Sequence, residues 1–124
     1  MLPKSTSHKT VGDTFTIKHN DLMISIEEAY SIKRTILQAG KNPRISKIVI
    51  DNREAKGVWP QNVNKIWEET ITEALNFNIK VVSLTNSHTA AMQINRISRV
   101  AGISDISKAF FGDMNDEVRA FLNA

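Results

Sequence analysis

Two short runs of β-branched residues constrain the fold of this chain more than any other feature. The first run occupies residues 47–51 and ends at the carboxylate of Asp51, with the guanidinium of Arg53 two residues further on. The second run, residues 79–85, follows one amphipathic helical pattern later. Buried parallel strands have this composition, and polar residues follow them at the carboxyl edge of an α/β sheet. The sequence therefore predicts two buried parallel strands.

The residues before the first run predict a hairpin. Residues 1–9 are mostly polar and carry no apolar core, and we expect residues 1–12 to form a mobile N-terminal segment. Residues 14–18 alternate between polar and apolar side chains, as a half-buried strand does. A turn at 19–21 and a short return strand at 22–24 would complete the hairpin. A single domain is predicted over residues 13–124.

A capping box predicts the start of the first helix. Ser25 and Glu28 have the required spacing, and the helix is predicted over residues 26–39. Gly40 stands where a left-handed C-terminal residue is favoured. The apolar stripe of this helix comprises Ala29, Ile32, Ile36 and Ala39.

Two further helices follow from apolar residues at three- and four-residue spacing. Pro60 favours the first turn of a helix that ends near Phe77. Its apolar stripe comprises Val63, Ile66, Trp67, Ile71, Ala74 and Leu75. Ser87 or Thr89 caps the next helix, and Gly102 ends it.

The chain ends with one more strand and one more helix. The strand is predicted over residues 107–111, and the apolar residues of the terminal helix are Met114, Val118, Phe121 and Leu122. The element order is ββαβαβαβα, and right-handed crossovers make the later strands parallel. The fold class is therefore α/β, a mixed and mostly parallel sheet of about five strands that helices cover.

Composition excludes several classes of function. The chain has no cysteine, which excludes disulfides and thiolate metal sites. Its 16 basic and 13 acidic residues are spread along the chain, so no basic stripe for nucleic acid is present. Neither a secretion signal nor an apolar run long enough to span a membrane is found. We therefore expect a cytoplasmic protein with no nucleic-acid partner.

These patterns together resemble the small bacterial SpoIIAA-like domains with the STAS (anti-sigma-factor antagonist) fold, some of which have been compared with the CRAL-TRIO lipid-binding fold. The resemblance covers about residues 14 to 123. Besides the element order, the residues that carry it are the strand end at 50–53, Gly57 and Pro60 before the helix with Trp67, the strand at 81–86, and the ending 109–113 followed by Glu117, Val118, Phe121 and Leu122.

The resemblance implies a regulatory binding domain, with one departure. Regulatory STAS members carry a phosphorylatable serine at the start of the helix after this strand. The matching residues 58–63 contain no hydroxyl group. A phosphoserine switch at that helix N-terminus is therefore not available to this chain.

Asp51 is the first candidate site residue. At the end of a buried strand it could serve as a general base, a phospho-acceptor or a metal ligand. We favour a structural role, in which its carboxylate caps loop amides or pairs with Arg53 or Lys56, because a lone carboxylate needs a charge partner and a cleft before it becomes a functional candidate.

Two other loops supply the remaining candidates. Residues 86–89 place an amide, hydroxyls and the imidazole of His88 beside a helix N-terminus, where they could hold an anion or simply cap the helix. Helix capping by Ser87 is the favoured interpretation. Trp59 could line a ligand pocket, but we favour its packing as a staple at the helix start.

The sequence predicts a non-catalytic STAS-like domain that binds a protein partner or a small apolar or anionic ligand near loops 52–60 and 86–90. No catalytic residue, metal or cofactor is predicted, and a homodimer through the opening strand stays open. The alternative is a small enzyme that uses Asp51 and His88. The candidate binding residues are Asp51, Arg53, Lys56, Trp59, Asn86, Ser87 and His88.

Overall fold

The computed structural model describes residues 2–57, 59–73, 76–77 and 79–124. These residues form the predicted order ββαβαβαβα. The elements are β1 (Thr6–Val11), β2 (Thr14–His19), α1 (Ile26–Lys41), β3 (Lys47–Asn52), α2 (Gln61–Glu73), β4 (Lys80–Thr85), α3 (His88–Val100), β5 (Ser107–Phe111) and α4 (Asp116–Leu122).

The strands form one five-stranded sheet in the order β1-β2-β3-β4-β5. β1 and β2 are antiparallel, whereas β2, β3, β4 and β5 are mutually parallel. The predicted α/β class and the mixed, mostly parallel sheet are therefore confirmed. β3, which ends beside Asp51 and Arg53, is the central strand, and the carboxyl ends of four strands meet at one edge.

Successive residues of β3 point to opposite faces of the sheet, and each face has its own core. Right-handed crossovers that step in one direction place α1, α2 and α3 on the same face. Beneath α1 and α2 lie Phe15, Ile17, Ile48 and Val81, together with apolar residues of the helices. On the opposite face α4 covers Val49, Val82, Leu84 and Phe110 through Val118 and Leu122.

The predicted helix signals at Ser25 and Ser87 are confirmed. The Glu28 N–H donates to Ser25 Oγ at 3.1 Å, and the Ser25 N–H donates to Glu28 Oε1 at 2.9 Å. The Ala90 N–H donates to Ser87 Oγ at 3.1 Å, so Ser87 rather than Thr89 caps α3. All four residues of the predicted α1 stripe are buried.

The predicted hairpin was wrong in its pairing. β2 pairs with β1 and not with residues 22–24, and Gly12 at φ +60° supplies the conformation that the two-residue turn requires. Residues 6–11, expected in a mobile segment, therefore form a strand. The sequence pattern missed β1 because every residue of the strand after Thr6 is exposed, so no apolar face marks it.

The prediction for Gly40 was also wrong. α1 continues through Gly40 to Lys41, and Asn42 follows as its C-cap. A Cβ atom at position 40 would lie 2.8 Å from Cδ2 of Phe77, so the glycine allows the ring to pack against the helix. α2 is described to Glu73, and the predicted stripe residues Ala74 and Leu75 lie outside the described residues.

His19 is a buried polar residue at the end of β2, where the sequence predicted a turn. Its side chain is 1% exposed, and Nδ1 lies 2.9 Å from the hydroxyl of Thr6. The ring also packs in a T-shaped arrangement with Trp59, with centroids 5.6 Å apart. Burial lowers the pKa of His19 from 6.5 to about 4, although the charge of Asp51 opposes this shift.

Because burial lowers the pKa of His19, we expect the free energy of unfolding to depend on pH. Between the ordinary pKa of 6.5 and the lowered value of about 4, the unfolded chain binds more protons than the folded chain. The free energy of unfolding therefore falls as the pH falls through this window, by about 2 kcal/mol at about pH 5 from this residue alone. Urea unfolding from neutral pH to about pH 5 should show that His19→Gln loses less stability than the wild type. Parallel losses in the two proteins would contradict this role of His19.

Candidate functional site

The carboxylate of Asp51 is held by Arg53. Both the backbone N–H and Nε of Arg53 donate to Oδ1, at 3.1 and 2.9 Å, and Nη2 donates to Oδ2 at 2.9 Å. The hydrogen bonds from Arg53 lower the pKa of Asp51 despite the burial of its side chain, which is 9% exposed. The carboxylate of Asp51 is therefore paired with Arg53, one of the partners proposed for it in the favoured interpretation of the sequence.

Arg53 also joins the loops that follow three neighbouring strands. Its Nη1 donates to Asp113 Oδ1 at 2.7 Å, beyond the end of β5. Its carbonyl oxygen accepts from Nδ2 of Asn86 at 2.8 Å, beyond the end of β4. Asp113 was not among the residues predicted for the site. It follows a predicted parallel strand by two residues, at the same sheet edge as Asp51, and this position could have indicated it.

The first turn of α3 lies beside the end of β5. Ser87 caps the helix, and its own N–H donates to Thr85 Oγ1 at 3.2 Å. The ring of His88 stacks on the ring of Phe111, with centroids 3.8 Å apart and an interplanar angle of 15°. Phe111 is nevertheless 49% exposed. The sequence placed Ser87 and His88 correctly beside a helix start but did not identify the aromatic partner of His88.

An exposed apolar surface continues from this stack along α3. Met92 lies one helical turn after His88 and is 71% exposed. We call His88, Met92 and Phe111 the α3–β5 patch. Exposed large apolar side chains that lie together, beside polar loops, are typical of interaction sites.

Trp59 and Lys56 lie apart from this patch. Trp59 packs edge-on against Trp67, with ring centroids 4.8 Å apart, and both indoles contact the core beneath α1 and α2. This packing supports the staple interpretation of Trp59 and the predicted core position of Trp67. Lys56 contributes its backbone, whose N–H donates to Asn20 and whose carbonyl accepts from Leu22, while its side chain is exposed.

The structure does not bring Asp51 and His88 together. Asp51 is opposite Leu84 in the register and shares the face that α4 covers. His88 stacks on Phe111, which is opposite Thr85 and therefore points to the other face. Because Asp51 is also fully engaged by Arg53, these two residues do not form the acid–base pair that the enzyme alternative required.

A shallow groove of about 460 Å³ lies where α4 leaves the sheet uncovered. It is lined mainly by β1, β2 and β3, at the Asp51 side of the sheet. Its lining includes Ser7, Lys9, Thr16, Lys18, Val49, Asp51, Arg53, Leu84 and Met114. Within the described part of the chain, no three His, Asp or Glu side chains are grouped to hold a metal ion. None of the described helices has the length and apolar character to cross a membrane.

Comparisons with known proteins identify the fold. The anti-sigma factor antagonist SpoIIAA, in its unphosphorylated form, is similar in structure with a TM-score of 0.57 and 12% sequence identity, over 93% of this chain and 92% of SpoIIAA. No family model matches the sequence, and no curated protein matches it either. The chain therefore has the STAS, SpoIIAA-like fold that its sequence predicted, and at this identity the likeness establishes the fold alone.

Two other solved structures are less similar. DspI from Pseudomonas aeruginosa gives a TM-score of 0.47 at 12% identity, over 67% of this chain and 38% of DspI. The enoyl-CoA hydratase from Mycobacterium smegmatis gives 0.46 at 9% identity, over 65% of this chain and 39% of that chain. This chain thus spans well under half of either protein, and neither likeness bears on its function.

The two ion pairs of Arg53 should contribute very differently to stability. Arg53→Ala leaves the buried carboxylate of Asp51 without its partner and should cost about 2 kcal/mol. Asp113→Ala removes an exposed partner and should cost less than about 1 kcal/mol. Urea unfolding at neutral pH measures both values. Equal losses for the two variants would show that Asp51 does not depend on Arg53.

Proposed function

We propose that this chain is a cytoplasmic regulatory binding domain that engages a partner protein through the α3–β5 patch and the loops joined by Arg53. The observation that carries the proposal is the exposed stack of His88 on Phe111, with Met92 one turn away. Aromatic residues and methionine are enriched in protein interfaces, where they fill pockets of the partner.

The loops next to the patch suit a preorganised binding surface. The segments after β3, β4 and β5 are tied together through Arg53, Asn86 and Asp113. Loops that are already ordered lose little conformational entropy when a partner binds. The candidate residues Asp51, Arg53, Asn86, Ser87 and His88 belong to this proposal as the framework of the surface, with His88 in direct contact.

A protein partner is favoured over a small anion for an electrostatic reason. The guanidinium of Arg53 already donates to two carboxylates, Asp51 and Asp113. The two carboxylates place negative charge beside the guanidinium, and this charge opposes the approach of a further small anion. Arg53 therefore serves the surface as a structural link rather than as an anion receptor.

The proposed binding is not controlled by phosphorylation at the start of α2. That start consists of Pro60, Gln61, Asn62 and Val63, which carry no hydroxyl group. SpoIIAA has a structure described as its unphosphorylated form. For this chain we propose that the amount of free partner, rather than a phosphate at that position, sets occupancy.

Affinity capture with point variants tests the proposed surface. The immobilised domain is exposed to a lysate of its source cells, and captured proteins are quantified by mass spectrometry. Met92→Ser with Phe111→Ser should reduce capture of a specific partner at least ten-fold. Met23→Ser with Val100→Ser changes two other exposed apolar residues and should retain it.

Circular dichroism must show that both double variants are folded. A partner retained by the patch variant, or lost equally by the control variant, would contradict the proposed surface.

A further inference from the structure

The two edge strands of the sheet differ in whether their outward backbone groups are hydrogen-bonded. At the β5 edge, Asn95 of α3 accepts from the Ala109 N–H at 2.8 Å and donates to the Ala109 carbonyl at 3.0 Å. A side chain of the fold therefore occupies the outward backbone groups that another strand would need. Such coverage is a common protection against edge-to-edge pairing.

β1 is the other end strand of the described sheet, and among the described residues no side chain is bonded to its outward backbone groups as Asn95 is at β5. In an antiparallel pair, every second residue of a strand bonds to the partner strand and the others point their backbone groups outwards. The Asn20 N–H donates to Ser5 O, which shows which residues of β1 bond to β2. Ser7, Lys9 and Val11 therefore bond to β2, opposite Lys18, Thr16 and Thr14.

The remaining residues of β1 direct their backbone groups outwards. The N–H and C=O groups of His8 and Thr10 point to the free edge, whereas the outward N–H of Thr6 already donates to Pro3 O at 3.0 Å. All residues of β1 after Thr6 are exposed. A further strand could thus bond to this edge without any rearrangement of the β1–β2 hairpin.

We propose that the occupant of this edge is β1 of a second copy of the chain, so that two five-stranded sheets join into one continuous sheet. Asn95 blocks pairing of β1 with the β5 edge of another copy, and this excludes an open-ended filament. Antiparallel pairing of β1 with β1 is symmetric and closes after two copies.

Lys9 selects the register of this pairing. When the two-fold axis passes through His8, the two copies of His8 lie opposite each other and Ser7 lies opposite Lys9, so the two lysines do not meet. Thr10 then lies opposite Thr6, whose carbonyl can accept from the Thr10 N–H while its own N–H stays bonded to Pro3 O. A register centred on Lys9 would place the two lysines opposite each other, which is unfavourable. A register centred on Ser7 would leave the outward groups of Thr10 without a partner in the opposing β1. The register centred on His8 is therefore the one that the residues of β1 favour.

Proline substitution on the free edge tests the dimer. Thr10→Pro removes an outward N–H that β2 does not use, and proline is tolerated on edge strands in this orientation. Analytical ultracentrifugation over a concentration series should show a reversible dimer for the wild type and for Thr10→Ala. Thr10→Pro should weaken self-association at least ten-fold and keep its circular dichroism spectrum. A wild type that stays monomeric at millimolar concentration, or a Thr10→Pro variant that dimerises normally, would overturn the proposal.

Cysteine cross-linking tests the register, because the chain has no cysteine of its own. Ser7 and Lys9 would form a non-hydrogen-bonded pair across the axis, with Cα atoms about 4.5 Å apart, which a disulfide can bridge. A mixture of the Ser7→Cys and Lys9→Cys proteins should form disulfide-linked dimers at least five-fold faster than either protein alone. Equal or faster cross-linking of Lys9→Cys alone would overturn this register.

Discussion

The ion pair between Arg53 and Asp51 is the interaction on which the carboxyl edge of this sheet depends. Asp51 is the residue before the last of the central strand, and its carboxylate is almost fully buried. A buried charge is costly unless it is paired and hydrogen-bonded. Arg53 supplies three hydrogen bonds to it and then reaches Asp113 beyond β5. One residue thereby fixes its own loop and links it to the loop two strands away.

The helices cover the two faces of the sheet unequally. Three helices cover one face, and the short helix α4 covers only part of the other. The two proposed binding surfaces lie at the two opposite edges of the sheet. The α3–β5 patch lies beside β5, whereas the exposed backbone groups belong to β1. Partner binding and self-association are thus proposed at separate surfaces, and a variant at one should leave the other intact.

The sequence predicted those elements whose residues have one strong local reason for their conformation. The β-branched runs identified β3 and β4, and the capping residues Ser25 and Ser87 identified the starts of α1 and α3. β1 was missed because an edge strand with exposed side chains has no apolar alternation to detect. Gly40 was misinterpreted because its role is a contact with Phe77, which is distant in sequence.

The candidate site shows the same division. The pairing of Asp51 with Arg53 could be predicted, because the two residues are only two positions apart in the sequence. Asp113 and Phe111 could not be assigned in the same way, because their partners Arg53 and His88 become neighbours only through the order of the strands. Contacts between residues close in sequence could therefore be predicted, whereas the α3–β5 patch could be identified only from the three-dimensional structure.

Backbone order at the carboxyl edge is the most direct test of the role of Arg53. ¹⁵N relaxation would be measured for residues 52–56, 86–88 and 111–114 in the wild type and in Arg53→Ala. We expect order parameters of about 0.85 in all three segments of the wild type, and a loss of order after both β3 and β5 in the variant. Segments that are already mobile in the wild type, or a change confined to residues 52–56, would contradict it.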